Sequence, residues 1–188
     1  MAASFVLTIS GRDRPGVVEA VADAVTRCGA SWQESRMARL ADRFSGIVQV
    51  SVPDDSVDAL KGALEELRND ELELALEVTR PEYVSDDYVS FVLELVGQDH
   101  TGIVREISAA LATHGANVIE LITTCTSAPM SGEMLFSASA RLRCPRDLGF
   151  DALRETLELL ADDLMVDINL EENPSPETSL APHKSLQP

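Results

Sequence analysis

The chain has 188 residues, a formal net charge of −17 and an apolar content of 45%, which suits one or two small globular domains. So acidic a chain repels phosphate backbones, and direct binding to nucleic acid is not expected. No apolar run reaches the roughly 18 residues of a membrane-spanning helix, the N-terminus lacks the basic start and cleavage region of a signal peptide, and Cys28, Cys125 and Cys144 show no C-x-x-C spacing. That cysteine usage argues against a disulfide framework or zinc knuckle and fits a reducing cytoplasm.

In chain order, Ser4 to Ser10 is a short apolar run closed by Gly11, which predicts a buried strand. Val17, Val18, Val21, Ala24, Val25 and Cys28 recur at helical spacing, and Gly29 follows where a helix C-terminus favours glycine. Ser31 to Leu40 is polar and extended. Its Arg36 and Arg39, with Arg43, suit a charged strand edge or a docking patch for an acidic surface. Val48, Val50 and Val52 alternate as in a strand. Asp54 and Asp55 stand where acidic residues favour a helix start, and Val57, Leu60, Leu64 and Leu67 stripe that helix. Leu72, Leu74, Leu76 and Val78 alternate in a last strand.

The same order then returns. Phe91 to Val96 predicts a strand, and Ile103, Val104, Ile107 and Leu111 a helix. Asn117 to Thr126 and Met134 to Leu142 predict a hairpin whose connection carries Pro129 and Gly132. Leu153, Leu157 and Leu160 stripe a helix, and Val166, Ile168 and Leu170 alternate. Aligned without gaps, Phe5 to Met37 and Phe91 to Thr123 are identical at about a third of positions, including Gly11/Gly97, Asp13/Asp99, Gly16/Gly102, Gly29/Gly115, Ala30/Ala116 and Glu34/Glu120. The spacing exceeds the roughly 20–50 residues of solenoid repeats and is that of a whole domain. The expected division is a first domain over 1–80, a linker over 81–87, a second domain over 88–170 and a disordered tail over 171–188 that is rich in proline. Each repeat alone holds a thin core, so the two are expected to pack together.

Two β-α-β-β-α-β units with right-handed crossovers make an α+β fold, ferredoxin-like: four-stranded antiparallel sheets with both helices on one face. The first and third strands become central, the polar second strand an edge, and two such sheets can join edge to edge into one of eight strands.

Between the first strand and helix the copies read Gly11-Arg12-Asp13-Arg14-Pro15-Gly16 and Gly97-Gln98-Asp99-His100-Thr101-Gly102. The glycines permit a tight turn and close backbone approach, and the free N–H groups that follow can hold a carboxylate. Asp13 and Asp99 can cap the helix or accept bonds from an ammonium group. Either this is an ordinary capped turn, or it is a receptor for both ends of a free amino acid. It is no nucleotide fingerprint. Glu34 and Glu120 recur at one strand position, as ligands for an amine or as exposed edge charges. His100 stands in the loop, as a surface histidine or a carboxylate or metal ligand; His114 ends a helix; His183 falls in the tail. Trp32 opens the edge strand, for packing between domains or as a ligand wall, and Cys28 reads as a core residue. No catalytic constellation, metal set or cofactor motif emerges.

The topology with the D-R-P-G loop resembles the ACT domain, a small regulatory module that typically binds amino acids at domain interfaces. The resemblance covers about residues 4–170. Arg27-Cys28-Gly29, Gln33-Glu34-Ser35-Arg36-Met37, Ala38-Arg39-Leu40 and Asn117-Val118-Ile119-Glu120-Leu121 are similar to stretches of the tandem-ACT repressor family of the glycine cleavage system. Ser31-Trp32 departs from the usual Asn-Ile, and His100-Thr101 from Arg-Pro. The resemblance implies a non-enzymatic cytoplasmic regulator, oligomeric, that senses a small amino acid such as glycine and acts through a protein partner such as a transcriptional activator. It implies a ligand site over Gly11, Asp13, Arg14, Pro15, Gly16, Glu34, Gly97, Asp99, His100, Thr101, Gly102, Asn117 and Glu120. Two alternatives stand beside it: a structural homodimer module without ligand, or a regulatory subunit of an amino-acid or folate-pathway enzyme. ACT domains with a similar loop precede the catalytic domain of formyltetrahydrofolate deformylase, and no such domain follows here.

Overall fold

The computed structural model describes residues 2–79, 87–128 and 132–172. The chain divides into two compact units, Met1–Tyr83 and Val84–Pro188. The first runs β1 (Ala2–Arg12), α1 (Val17–Arg27), β2 (Ser31–Leu40), β3 (Arg43–Pro53), a 3-10 turn (Asp54–Ser56), α2 (Val57–Leu67) and β4 (Leu72–Val78). The second repeats it as β5 (Tyr88–Gln98), α3 (Ile103–Thr113), β6 (Asn117–Ser127), β7 (Met134–Pro145), α4 (Phe150–Leu164) and β8 (Val166–Glu172).

The strands form two antiparallel sheets of four, ordered β2-β3-β1-β4 and β6-β7-β5-β8. The order follows from the alternation. In β1, Phe5, Leu7 and Ile9 are buried, and in β3 so are Val48, Val50 and Val52. They share one sheet face because residues two apart point the same way. That face meets Val21, Ala24 and Val25 of α1 and Leu60 and Leu64 of α2. In the second unit Leu93, Leu95, Ala140, Leu142 and Cys144 meet Ile107, Leu111, Leu153 and Leu157. Truncating a fully buried leucine such as Leu7 removes contacts worth about 2–5 kcal/mol.

Several boundaries differ from the sequence reading. β1, β5 and β3 run past their apolar cores, because ladder pairing continues through polar residues such as Arg12 opposite Arg43 and Tyr88 opposite Pro145. Glu171 and Glu172, assigned to the tail, lie in β8, where they pair with Val92 and Phe91. The rest of that tail, with His183, and most of the linker lie outside the described residues, as does Pro129; Gly132 has φ +73°. Both edge strands break register at one place, between Trp32 and Glu34 and between Val118 and Glu120. Each bulge inserts one residue and turns the following side chains to the other face.

Candidate ligand site at the repeated loop

The loop after the first strand is built alike in both units. The Asp13 N–H donates to the Asp42 carbonyl at 2.9 Å, and the Asp99 N–H to the Met134 carbonyl at 2.8 Å. Each loop is thereby tied to the hairpin that follows the edge strand. Gly16 and Gly102 are the helix N-caps, in the left-handed region at φ +90° and +111°. Only glycine adopts that conformation without strain.

Asp13 and Asp99 do not cap the helices, contrary to one sequence reading. The cap is three residues further on, and no side chain bonds the first turn of α1 or α3. The first backbone bonds are Ala20 N–H to the Gly16 carbonyl, 2.9 Å, and Glu106 N–H to the Gly102 carbonyl, 3.0 Å. The preceding N–H groups have no acceptor within their helix and face outward at its positive end.

The four glycines divide into two pairs. A Cβ on Gly11 would stand 2.5 Å from the Glu71 carbonyl oxygen, and one on Gly97 would stand 2.5 Å from Val166 Cγ1 and 2.9 Å from the Met165 carbonyl oxygen. These two let a neighbouring strand close in. Gly16 is different, with nothing within 4 Å of its Cβ position, and at Gly102 only Glu106 Oε1 approaches, at 3.5 Å.

Around this common frame the two loops carry different chemistry. Arg39 Nε lies 2.7 Å from Asp13 Oδ2. Cys125 occupies the matching position of β6, since Arg39 faces Phe44 and Cys125 faces Phe136. The Cys125 thiol is held above its ordinary pKa, first by desolvation, then by the charge of Asp99 and a hydrogen bond to it. Neither Arg39 nor Cys125 was singled out as a loop neighbour from the sequence. The antiparallel hairpin that returns the end of the edge strand to the loop is the signal that would have found them.

Arg14, Pro15 and Thr101 are exposed on the loops. His100 is half-buried and directs Nε2 to the Leu164 carbonyl at 2.9 Å, at the C-terminal end of α4. No group of three metal-binding side chains occurs among the described residues. His114 is the C-cap of α3, with Nε2 2.9 Å from Thr156 Oγ1. Trp32 and Cys28 lie against the core of their own unit.

Within a unit, Glu34, Glu120 and Asn117 are not brought to the loop. Glu120 and Asn117 pair with Arg141 and Arg143, on the sheet face away from the helices. At about 3.3 Å per residue they lie roughly 16 and 26 Å along β6 from Cys125. Glu120 Oε2 is 3.2 Å from Arg141 Nε, and Glu34 Oε1 is 2.9 Å from Arg36 Nη2.

The two units share one fold and one loop, an ACT-like module built twice. Residues 3–79 match the ACT domain family, so the first unit is an ACT domain, and the second unit repeats its topology. Glycine cleavage system transcriptional repressors of Escherichia coli (strain K12) and Shigella flexneri are each 26% identical to it over 123 residues, 63% of this chain and 63% of theirs. The chain thus matches less than two thirds of those relatives' length. A crystal structure of an unknown protein from Galdieria sulphuraria superimposes with a TM-score of 0.84 at 32% identity, covering 92% of this chain and 99% of that one. That of a candidate glycine cleavage system transcriptional repressor gives 0.67 at 20% identity, covering 92% and 98%, and so shares the fold.

Proposed function

We propose that this chain is a non-enzymatic regulator of the cytoplasm that binds a free amino acid at its repeated loops and acts through a protein partner. One observation carries the reading. Each loop presents uncapped N–H groups at a helix start, behind a left-handed glycine, with an aspartate three residues before it. Such N–H groups suit a carboxylate, and the aspartate suits an ammonium group. No net charge is needed on the ligand, which is what a zwitterion offers.

The similarity to glycine cleavage repressors supports a role in controlling transcription. The net charge of −17 favours action through a protein rather than by direct contact with DNA. A homo-oligomer is part of the proposal. The chain has no described helix long and apolar enough to cross a membrane.

Titration calorimetry of the full chain with a panel of amino acids tests it. Glycine has few heavy atoms, and a ceiling of about 1.5 kcal/mol per atom caps its affinity near micromolar. Desolvating both charged ends weakens it, so dissociation constants of roughly tens of micromolar to millimolar are expected. Absence of heat with every amino acid, from a folded protein, would remove the sensing role.

A further inference from the structure

The two repeats differ in what stands between the first helix and the edge strand. In the first repeat Trp32 and Met37 lie half-buried against the core, and Met37 covers Gly46 so closely that a Cβ there would meet its Cγ at 2.5 Å. In the second repeat Val118 takes the place of Trp32, opposite Leu142, and Thr123 that of Met37, opposite Ala138. Val118, smaller than Trp32, and Ala138, opposite Thr123, border an open space. A cleft of about 30 Å³ runs between α3 and β6, lined by Leu95, Ile103, Val104, Val118, Leu121 and Phe136, with Ser108 its one hydroxyl. Val104, Val118 and Leu121 remain 45%, 36% and 47% exposed beside it. Its near end is formed by Ile103 and Val104, the two residues after Gly102. The cleft therefore begins where the uncapped N–H groups are.

We infer that the second repeat selects an amino acid with an aliphatic side chain of two or three carbons, valine above all, which enters this cleft while its carboxylate rests at the start of α3. This rests on the amino-acid-binding reading above and adds to it a ligand class and an inequality of the repeats. The volume sets the class. A water-sized group needs about 10–15 Å³ by the same measure, so roughly two or three carbons fit and an aromatic ring does not. The lining sets the polarity, because a charged or amide side chain would lose its water without gaining a partner. In the first repeat the larger Trp32 stands at the position of Val118, half-buried against the core, so such a side chain is expected to find less room there.

Calorimetry of the full chain with glycine, serine, valine, leucine and phenylalanine tests the inference, alongside the variants Val118→Trp and Thr123→Met. Both variants restore the filling residues of the first repeat, and either one that melts cooperatively is informative. Valine is expected to bind about tenfold or more tighter than glycine, as aliphatic carbons in an apolar site do, and tighter than leucine and phenylalanine. In the variants that advantage is expected to disappear while glycine binding persists. Glycine or serine binding as tightly as valine, or valine binding unchanged in a folded variant, overturns the inference and leaves amino-acid sensing standing. No heat from any amino acid with the wild-type chain overturns both.

Discussion

Arg39 reaches across the mouth of the first loop to Asp13, with Nε 2.7 Å from the carboxylate oxygen, and the second repeat has Cys125 and Asp99 at those positions. The Arg39 and Asp13 side chains are 66% and 37% exposed, so the pair is worth only about 0–1 kcal/mol of stability. Its consequence is for binding, since Asp13 is already neutralised by a cation. Arg39→Ala is therefore expected to shift the melting temperature by only a few degrees and to tighten amino-acid binding at the first loop several-fold. Calorimetry and a thermal melt read both; weaker binding in that variant would mean that Arg39 holds the ligand itself.

The second loop makes a prediction about reactivity. A thiol held above its ordinary pKa is mostly protonated near neutral pH, and the thiolate is the nucleophile. Cys125 is exposed, so access does not limit it. Its alkylation by iodoacetamide is expected to be slow at pH 8 and to rise at higher pH than for a free cysteine. Asp99→Asn removes a charge that favours the thiol form, so it should shift the curve to lower pH. Peptide mass spectrometry after timed alkylation separates Cys125 from half-buried Cys28 and buried Cys144. An unshifted curve in the variant would place the carboxylate away from the thiol.

Much of this fold was legible because alternation and helical spacing report burial directly. Leu7 and Ile9, or Val48 and Val50, could face only a core, and the repeat confirmed each assignment with a second copy. The ends of the strands were not legible, since Arg12 and Pro145 are placed by ladder pairing that leaves no apolar trace. At the site, the recurrence of Asp13 and Asp99 marked the loop but not the role. Capping and ion pairing use the same residue type, and Arg39 lies far along the sequence. Gly11 and Gly16 looked equivalent for a similar reason: a missing Cβ can serve a close strand or a left-handed turn, and only the surroundings decide.

That division of the glycines is testable. Gly16→Ala meets no neighbour but must hold φ near +90°, which costs about 1–2 kcal/mol. Gly11→Ala must push back the Glu71 carbonyl oxygen from 2.5 Å, and overpacking against backbone costs about 1–3 kcal/mol or more. Gly97→Ala faces both a backbone oxygen and Val166. Urea unfolding is expected to rank Gly11→Ala and Gly97→Ala as more damaging than Gly16→Ala. Calorimetry is expected to rank them the other way for ligand affinity per unit of remaining folded protein. The same order in both assays would remove the left-handed glycine from the site.

Glu106 offers the sharpest probe of where a ligand carboxylate sits. Its Oε1 approaches the Cβ position of Gly102 to 3.5 Å, and Arg105 Nη2 holds that oxygen at 2.9 Å. A protein carboxylate thus lies beside the N–H groups proposed for the ligand, and the first repeat has Ala20 at this position. Acidic groups in a first turn stabilise a helix by about 0.3–1 kcal/mol, so Glu106→Ala should lower stability by that order. The effect on ligand affinity has the opposite sign. Removing Glu106 abolishes repulsion between two carboxylates and releases Arg105. Affinity at the second loop is expected to rise roughly three- to tenfold in low salt. The gain should shrink towards 0.5 M salt, where the screening length falls to a few ångströms. Ala20→Glu is expected to weaken binding at the first loop by a similar factor. Calorimetry of both variants at two salt concentrations decides the matter, and affinities unmoved by either substitution would place the ligand carboxylate away from the helix starts.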